Sequence, residues 1–230
     1  MSSPAQPTQP YLAPEAMAAT PLALRQSVAE AARTMHAWGC TPATSSNFSA
    51  REMGSAHFAI SVSGLHKSKL TAEDFLEVDF QGTILNPEQA HLRPSAETLL
   101  HALVYQQFPE TQTVLHSHSV NCTVLSKLYE ADGGVWLKQF ELLKAFEGIT
   151  THDIALWLPI FPNSQDMPAL AQTVRTALPE CLPVYGFLLA GHGLYTWGAS
   201  PAQALRHAEA FEFLFESILK LRSHGYADYS

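Results

Sequence analysis

The order of strand-like and helix-like segments limits the fold of this chain more than any other feature. Short β-rich runs at 57–63, 113–118 and 184–190 lie among segments whose apolar residues recur every three or four positions, such as 21–38 and 201–222. The two kinds of segment do not alternate strictly, so the sequence does not require a purely parallel sheet. These patterns predict a mixed α/β fold with short connections.

Three further segments are assigned from local sequence. Residues 44–49, Thr-Ser-Ser-Asn-Phe-Ser, are rich in hydroxyl and amide side chains and are predicted to form a polar turn after the first helix. Residues 95–107 follow a proline and are predicted to be helical, and a helix is also predicted near 136–146.

The length of the chain indicates one domain. Its 230 residues are 47% apolar, which is enough for a sizeable core. Residues 1–20 contain Pro4, Pro7, Pro10 and Pro14 among small polar residues and show no apolar period. We therefore expect a flexible, proline-rich tail over 1–20 and a single domain over 21–230.

Charge and cysteine content exclude several classes of protein. The net charge is -8, whereas a nucleic-acid-binding domain is expected to carry a basic face. No apolar run is long enough to span a membrane, and the N-terminus has no signal-peptide pattern. Three widely spaced cysteines, Cys40, Cys122 and Cys181, do not form a disulfide framework. The sequence thus predicts a reduced, cytoplasmic protein with no nucleic-acid or membrane partner.

Histidine is the residue type that points to chemistry, with 11 in the chain. His116 and His118 lie two apart at the end of a predicted strand, where both imidazoles can face one ion. His192 lies between two glycines, which allow a close backbone approach. Zinc binds imidazole nitrogen, and its catalytic sites keep three protein ligands. A single His-x-His pair is weak evidence, and the other eight histidines are taken as ordinary core or surface residues.

Three polar segments, at 44–49, 61–67 and 93–97, lie at the ends of predicted elements. Such positions offer hydroxyls and backbone N–H groups to a phosphate, and Ser95 would place one at a helix N-terminus. Lys67 would add a positive charge. Helix capping and ordinary turns are the alternative explanation for each segment taken alone.

Taken together, these segments resemble the class II aldolase family, which contains zinc-dependent sugar-phosphate aldolases, epimerases and a dehydratase. The motifs follow the family order over roughly residues 22–224, at 46–49, 61–67, 94–97, 116–118 and 191–193. The resemblance implies an α/β/α sandwich around a mainly antiparallel central sheet. It also implies a homotetramer with active sites at subunit contacts.

The resemblance assigns roles to particular residues. It implies one zinc ion per subunit on His116, His118 and His192, and a sugar-phosphate substrate. The phosphate would be held by the segments already described. The residues concerned are Asn47, Ser63, Gly64, Lys67 and Ser95. The chain departs from the common family pattern at Ser46 and Ala96, both in this phosphate region.

Two glutamates compete for the acid/base role. Residues 140–152 resemble the dehydratase branch of the family, in which the glutamate matching Glu141 is the acid/base. In the aldolases that role falls to the glutamate matching Glu97. Because the chain carries both, Glu97 alone does not decide the reaction. The resemblance of residues 140–152 to the dehydratase branch implies zinc-dependent dehydration of a sugar phosphate. An aldolase or epimerase of the fuculose 1-phosphate or ribulose 5-phosphate type is the main alternative. A zinc hydrolase or a non-catalytic interaction domain is less compatible with these motifs.

Overall fold

A computed structural model describes residues 19–226 of the chain. These residues form five α-helices around one eight-stranded sheet, with four short 3₁₀ turns between them. The helices are α1 (Leu22–Ala37), α2 (Thr98–Gln107), α3 (Val120–Leu128), α4 (Met167–Ala177) and α5 (Pro201–Ser223). The strands are β1 (Asn47–Ala50), β2 (His57–Ser61), β3 (Phe75–Asp79), β4 (Thr113–Ser117), β5 (Gly134–Lys138), β6 (Ala155–Phe161), β7 (Gly186–Leu189) and β8 (Gly193–Gly198).

The sheet is mainly antiparallel. Its strand order is β3-β2-β1-β4-β8-β7-β6-β5, and β6 with β7 is the one parallel pair among the described residues. That pair is joined through α4. Hairpins or longer turns connect β1 with β2, β2 with β3, β5 with β6 and β7 with β8, whereas β1 and β8 pair with β4 from distant parts of the chain. In the centre, β4 pairs with β1 on one side and with β8 on the other.

Helices cover both faces of the sheet, as expected from the resemblance. On one face, α2 and α4 pack on inward residues of β2, β4 and β8, such as Ile60, Val114 and Tyr195. On the other face, α1, α3 and α5 pack on residues such as Phe48 and Leu194. Because side chains alternate along a strand, each central strand contributes to both cores. The α/β/α sandwich around a mainly antiparallel sheet is therefore confirmed.

Two local predictions are wrong. The segment 136–146 is not a helix, because Gly134–Lys138 pairs along its whole length with Ala155 to Pro159 and forms the edge strand β5. Only Glu141–Ala145 turns, as a short 3₁₀ helix. The segment 44–49 is a turn only in part, because Asn47–Ala50 is the buried strand β1. In both cases pairing with a distant strand decided the structure.

The predicted tail lies mostly outside the described residues, which start at Ala19. The last residue of that prediction, Thr20, is buried and donates from its backbone N–H and its hydroxyl to the Glu77 carboxylate, at 2.8 and 3.0 Å. Thr20 therefore makes ordered contacts with the domain, although the sequence assigned it to the tail. Among residues 19–226, none of the helices combines the length and apolar character needed to cross a membrane.

Candidate metal centre and active site

The three predicted histidine ligands meet at one end of the central strands. His116 is the fourth residue of β4, and the His118 backbone N–H donates to the Cys40 carbonyl at 2.8 Å directly after that strand. His192 lies in the tight turn between β7 and β8. The antiparallel pairing of β8 with β4 fixes the distance of His192 from the other two histidines. Gly191 has a φ of 64°, so the turn places its backbone in the left-handed region that favours glycine.

The side chains converge closely. The Nε2 atoms of His116 and His118 are 2.8 Å apart. The ring centroid of His192 lies 5.0 Å from that of His116 and 4.7 Å from that of His118. Glu97, directly before α2, joins the three histidines, and we call these four residues the cluster. One Glu97 oxygen is 3.1 Å from His192 Nε2, and the other is 3.7 Å from His116 Nε2. One possible ligand atom from each of the four residues lies within 4.8 Å of all the others.

Gly193 is required for this close approach. A Cβ at position 193 would lie 2.1 Å from the Ser117 carbonyl oxygen and 2.8 Å from the His116 ring. Any larger residue would push β8 away from β4 at the point where His116 is held. The glycine that the sequence analysis linked to close packing therefore brings two strands into contact below the cluster.

The hydrogen bonds of the rings leave acceptor atoms facing one another. His116 donates from Nδ1 to the Leu194 carbonyl at 2.9 Å, and His192 donates from Nδ1 to Asn163 Oδ1 at 3.1 Å. Because a neutral imidazole carries one proton, the Nε2 atoms that face Glu97 are bare. Lone pairs and a carboxylate at these distances need a positive charge between them. The donor set therefore fits a metal ion bound by imidazole nitrogen and carboxylate oxygen.

Burial keeps His116 and His118 in the neutral form that binds metal. It lowers the pKa of His116 well below its usual range, although the nearby Glu97 charge opposes this shift. Burial, together with the neighbouring His192, lowers the pKa of His118 to about 4. Burial alone would raise the pKa of Glu97, but its contacts with His192 and His116 and the hydrogen bond from Asn47 hold it well below its usual range.

A small polar cavity of about 210 Å³ opens beside the cluster. It joins the three predicted phosphate segments, and four predicted phosphate residues line it together with Glu97 and His118. Those four are Asn47, Ser63, Gly64 and Ser95. Ser46 also lines the cavity with a positive φ of 74° and a buried hydroxyl that has no partner. An unpaired buried hydroxyl on a strained backbone is typical of a ligand site.

Lys67 is not part of the wall of this cavity, but it bonds to Thr44, which lines it. Its side chain is buried, and Nζ donates to the Thr44 and Leu65 carbonyls at 3.2 and 2.8 Å. It thereby ties two of the polar segments together. Burial lowers the pKa of Lys67, and the Glu97 charge opposes this shift.

Ser95 also differs from expectation, because α2 begins at Thr98 and Ser95 lies in the preceding turn.

A second, larger cavity of about 470 Å³ also adjoins the cluster. Glu97 and His118 line both cavities, so a small polar space and a larger one share two of the possible metal ligands. The remaining wall is contributed mainly by polar side chains and by the turn that carries His192. These residues are Pro42, Thr123, Asn163, Gln165, Gly191 and His192.

Glu141 is not brought to the cluster within the single chain. It begins the 3₁₀ turn after β5, its side chain is 72% exposed, and it forms ion pairs with Lys144 at 2.5 Å and His152 at 3.3 Å. The hydrogen bond from Lys144 lowers the pKa of Glu141. Of the two competing glutamates, only Glu97 faces the histidines in this structure.

Two contributors to the site were not singled out from the sequence. Asn163 accepts the hydrogen bond of His192, and His101 bonds to Asn47, which in turn donates to Glu97. His101 had a detectable signal: it lies four residues after Glu97, one helical turn away on the same face of α2. Asn163 had none, because its place beside His192 depends on the parallel pairing of β6 with β7.

Comparisons with known proteins agree with the fold. Residues 26–219 match the family described as class II aldolase and adducin N-terminal domain. A methylthioribulose-1-phosphate dehydratase of Marinobacter nauticus is 50% identical over 195 residues, covering 85% of this chain and 92% of that protein. Its counterpart in Xanthomonas campestris pv. campestris is 52% identical over 188 residues, covering 80% and 84%.

Solved structures show the same architecture. An L-fuculose-1-phosphate aldolase from Thermus thermophilus has a TM-score of 0.68 at 25% identity, covering 90% of this chain and 98% of that one. The enzyme of that name from Glaciozyma antarctica has a TM-score of 0.70 at 21% identity, covering 89% and 75%. With the family match spanning most of the sequence, this chain belongs to the class II aldolase family.

Proposed function

We propose that the protein is a zinc-dependent methylthioribulose-1-phosphate dehydratase. It would remove water from 5-methylthioribulose 1-phosphate to give 2,3-diketo-5-methylthiopentyl 1-phosphate, a step of methionine salvage. The observation that carries the proposal is a cluster of three histidines and Glu97 that adjoins both a small polar cavity and a larger one. The shared name of relatives about 50% identical supports this choice of substrate.

The two cavities suggest how the substrate lies. The phosphate would occupy the smaller cavity, where hydroxyls, an amide and the buried Lys67 charge favour an anion. The methylthio end would extend into the larger cavity. The reacting carbons would then lie beside Glu97 and His118, which line both spaces. This placement holds the substrate by its ends and fixes the reacting carbons near the carboxylate.

Zinc fits the ligands better than a hard cation, because His116, His118 and His192 offer three imidazole nitrogens. When bound, zinc would polarise the substrate carbonyl and make the C3 proton more acidic. The neutral state of His116 and His118 means that the site need not lose protons from these rings to accept the ion.

Dehydration requires that the C3–H bond and the C4–O bond break while a C3–C4 double bond forms. A carboxylate must accept the C3 proton, and an acid must protonate the departing C4 hydroxyl so that it leaves as water. Glu97 is ionised and faces the cluster, so it is placed to accept a proton. The resulting enol relaxes to the diketone. General acid/base catalysis of this kind typically contributes about 10²–10⁴-fold.

Glu141 would act at the site of a neighbouring subunit in the proposed homotetramer. Its exposed position suits a residue that another copy of the chain covers. The outer face of α3, which begins two residues after His118, presents an apolar row of Val120, Val124 and Leu128. Such a row next to the cluster is typical of a subunit contact. The three free cysteines agree with the proposed cytoplasmic location.

An aldolase acting on a related sugar phosphate is the second candidate. It is favoured by the fold neighbours and by Glu97, which the resemblance marks as the aldolase acid/base and which lies 3.1 Å from His192 Nε2. It would share the zinc site, so metal content does not separate the two activities. The products do separate them.

The deciding experiment is a product assay with the zinc-loaded protein. We expect 5-methylthioribulose 1-phosphate to lose one water by mass, while fuculose 1-phosphate and ribulose 5-phosphate remain unchanged. Cleavage or epimerisation of either comparison sugar, with the methylthio sugar untouched, would overturn the dehydratase and support the second candidate.

A further inference from the structure

A row of polar side chains runs through the core between α2 and β1. Glu97, His101 and Tyr105 follow one another at four-residue steps and lie on one face of the helix. Asn47 and Ser49 lie two apart on β1 and face that helix. We call these five residues the polar seam. Four of them are at least 97% buried, and Glu97 has 18% of its side chain exposed at the cluster.

The hydrogen bonds of the polar seam have one consistent direction. Asn47 donates from Nδ2 to Glu97 and, at 2.9 Å, to the Ser95 hydroxyl, while its Oδ1 accepts from His101 Nε2 at 2.5 Å. Because an amide oxygen only accepts, His101 carries its proton on Nε2. Its Nδ1 therefore accepts from Ser49 at 2.7 Å, and the Ser49 hydroxyl accepts from Tyr105 at 2.7 Å.

This direction determines what Glu97 receives. If the Asn47 amide turned over, its oxygen would face the Glu97 carboxylate and its NH₂ would face the His101 N–H. Both contacts would be repulsive, in a buried region where unpaired polar groups are costly. Burial lowers the pKa of His101 to about 3, so the ring stays neutral in ordinary buffers. The amide donor toward Glu97 is therefore present at every working pH.

The end of the polar seam that lies away from Glu97, at Tyr105, is also held in place. Arg51, directly after β1, places its guanidinium 4.9 Å from the Tyr105 ring centroid and donates to the Tyr105 carbonyl at 3.1 Å. The arginine thus ties the C-terminal end of α2 to β1, and the seam ties its N-terminal end through Glu97. A core that only needed to be stable could use apolar residues at these positions.

We infer that His101 is a positioning residue: through Asn47, it holds the Glu97 carboxylate in the orientation that faces the three histidines. The inference deepens the proposed function and rests on it wherever turnover is the readout. His101 does not touch the cluster and would move no proton. Its effect is transmitted by one amide, whose orientation it fixes.

Two substitutions at position 101 separate this role from simple packing. The amide of His101→Gln reaches about as far as Nε2 and keeps a donor for Asn47. The shorter His101→Asn reaches only about as far as Nδ1, so it keeps the Ser49 contact and loses the Asn47 contact. We expect His101→Asn to lower kcat about 10–100-fold with KM within about 3-fold, and His101→Gln to retain at least about one third of kcat.

A double-mutant cycle with Glu97→Gln tests whether the effect passes through Glu97. In the Glu97→Gln background, His101→Asn should cost less than about 2-fold, because the group that it positions is already altered. Thr113→Val is the matched control, since Thr113 is fully buried, its hydroxyl has no partner, and valine has the same shape. It should keep wild-type kcat. If His101→Asn does not fold, Ser49→Ala takes its place in the cycle, with an expected loss of about 3–10-fold.

The His101 tautomer supplies a readout that needs no substrate. Long-range ¹⁵N–¹H spectra of the full chain should show a proton on Nε2 and no titration between pH 5 and 9. A proton on Nδ1, or titration in that range, would overturn the inference even if the product assay failed. Equal activity of His101→Asn and wild type would also overturn it. So would equal losses of kcat in both His101 variants. So would a loss of kcat on adding His101→Asn to Glu97→Gln that is as large as the loss in the wild-type background.

Discussion

Replacing Asn163 by leucine should weaken zinc binding about 10-fold without unfolding the protein. The Asn163 amide oxygen accepts the Nδ1–H of His192 at 3.1 Å and so leaves Nε2 free to face the cluster. Removing such an outer partner typically costs about 10–100-fold in metal affinity. The low end applies because Asn163 is exposed and water can replace its oxygen. His116 has no equivalent weakness, since its partner is the backbone carbonyl of Leu194.

A chelator-competition titration measures this effect directly. Tenfold weaker binding corresponds to about 1.4 kcal/mol. Asn163→Asp keeps an acceptor for the ring N–H and should bind zinc at least as tightly as the original chain. Gln165→Leu is the matched control, because Gln165 lines the same cavity and its described hydrogen bond is made by its backbone carbonyl. Wild-type affinity in Asn163→Leu, or an equal loss in Gln165→Leu, would refute the reasoning.

Three further outcomes are expected. Alanine at any one of the three histidine ligands should lower bound zinc well below one per chain by metal analysis, and stoichiometric zinc in all three variants would rule out the site. Glu141→Gln should keep zinc but lose most turnover; normal turnover would leave Glu97 as the acid/base. Burial raises the pKa of Glu212 to about 7, above its unfolded value, so it stabilises the fold only at low pH and costs stability as pH rises through 7. Glu212→Gln should therefore raise the free energy of unfolding on the order of 2 kcal/mol more at pH 8 than at pH 5, measured by urea titration.

The parts of the fold that periodicity predicted are those whose local pattern matches their environment. The amphipathic pattern of α5 fits only a helix, and the β-rich run at β4 fits only a strand. The strand β5 was wrongly predicted as helix because a short apolar run fits either structure, and only its pairing with β6 decides. The strand β1 was missed because its inward residues, Asn47 and Ser49, are polar and find their partners on α2.

The candidate site shows a similar division. His116, His118 and His192 were found from spacing and resemblance, and the structure brings all three together with Glu97. Their separation in sequence gave no distance, because the register between β4 and β8 sets it. Asn47 was predicted to hold phosphate. It does line the polar cavity, yet its amide is already bonded to Glu97, Ser95 and His101.

The antiparallel pairing of β4 with β8 brings together residues far apart in the chain: the His116 ring bonds to a carbonyl 78 residues away, next to the turn that carries His192. A metal held by both strands is therefore a reversible cross-link that closes a long loop. Closing a loop of that size in the unfolded chain costs on the order of 4 kcal/mol of entropy. An ion that binds only the folded chain raises its stability with concentration. The melting temperature of this protein should thus report free zinc, rising as the ion is supplied and falling when a chelator removes it.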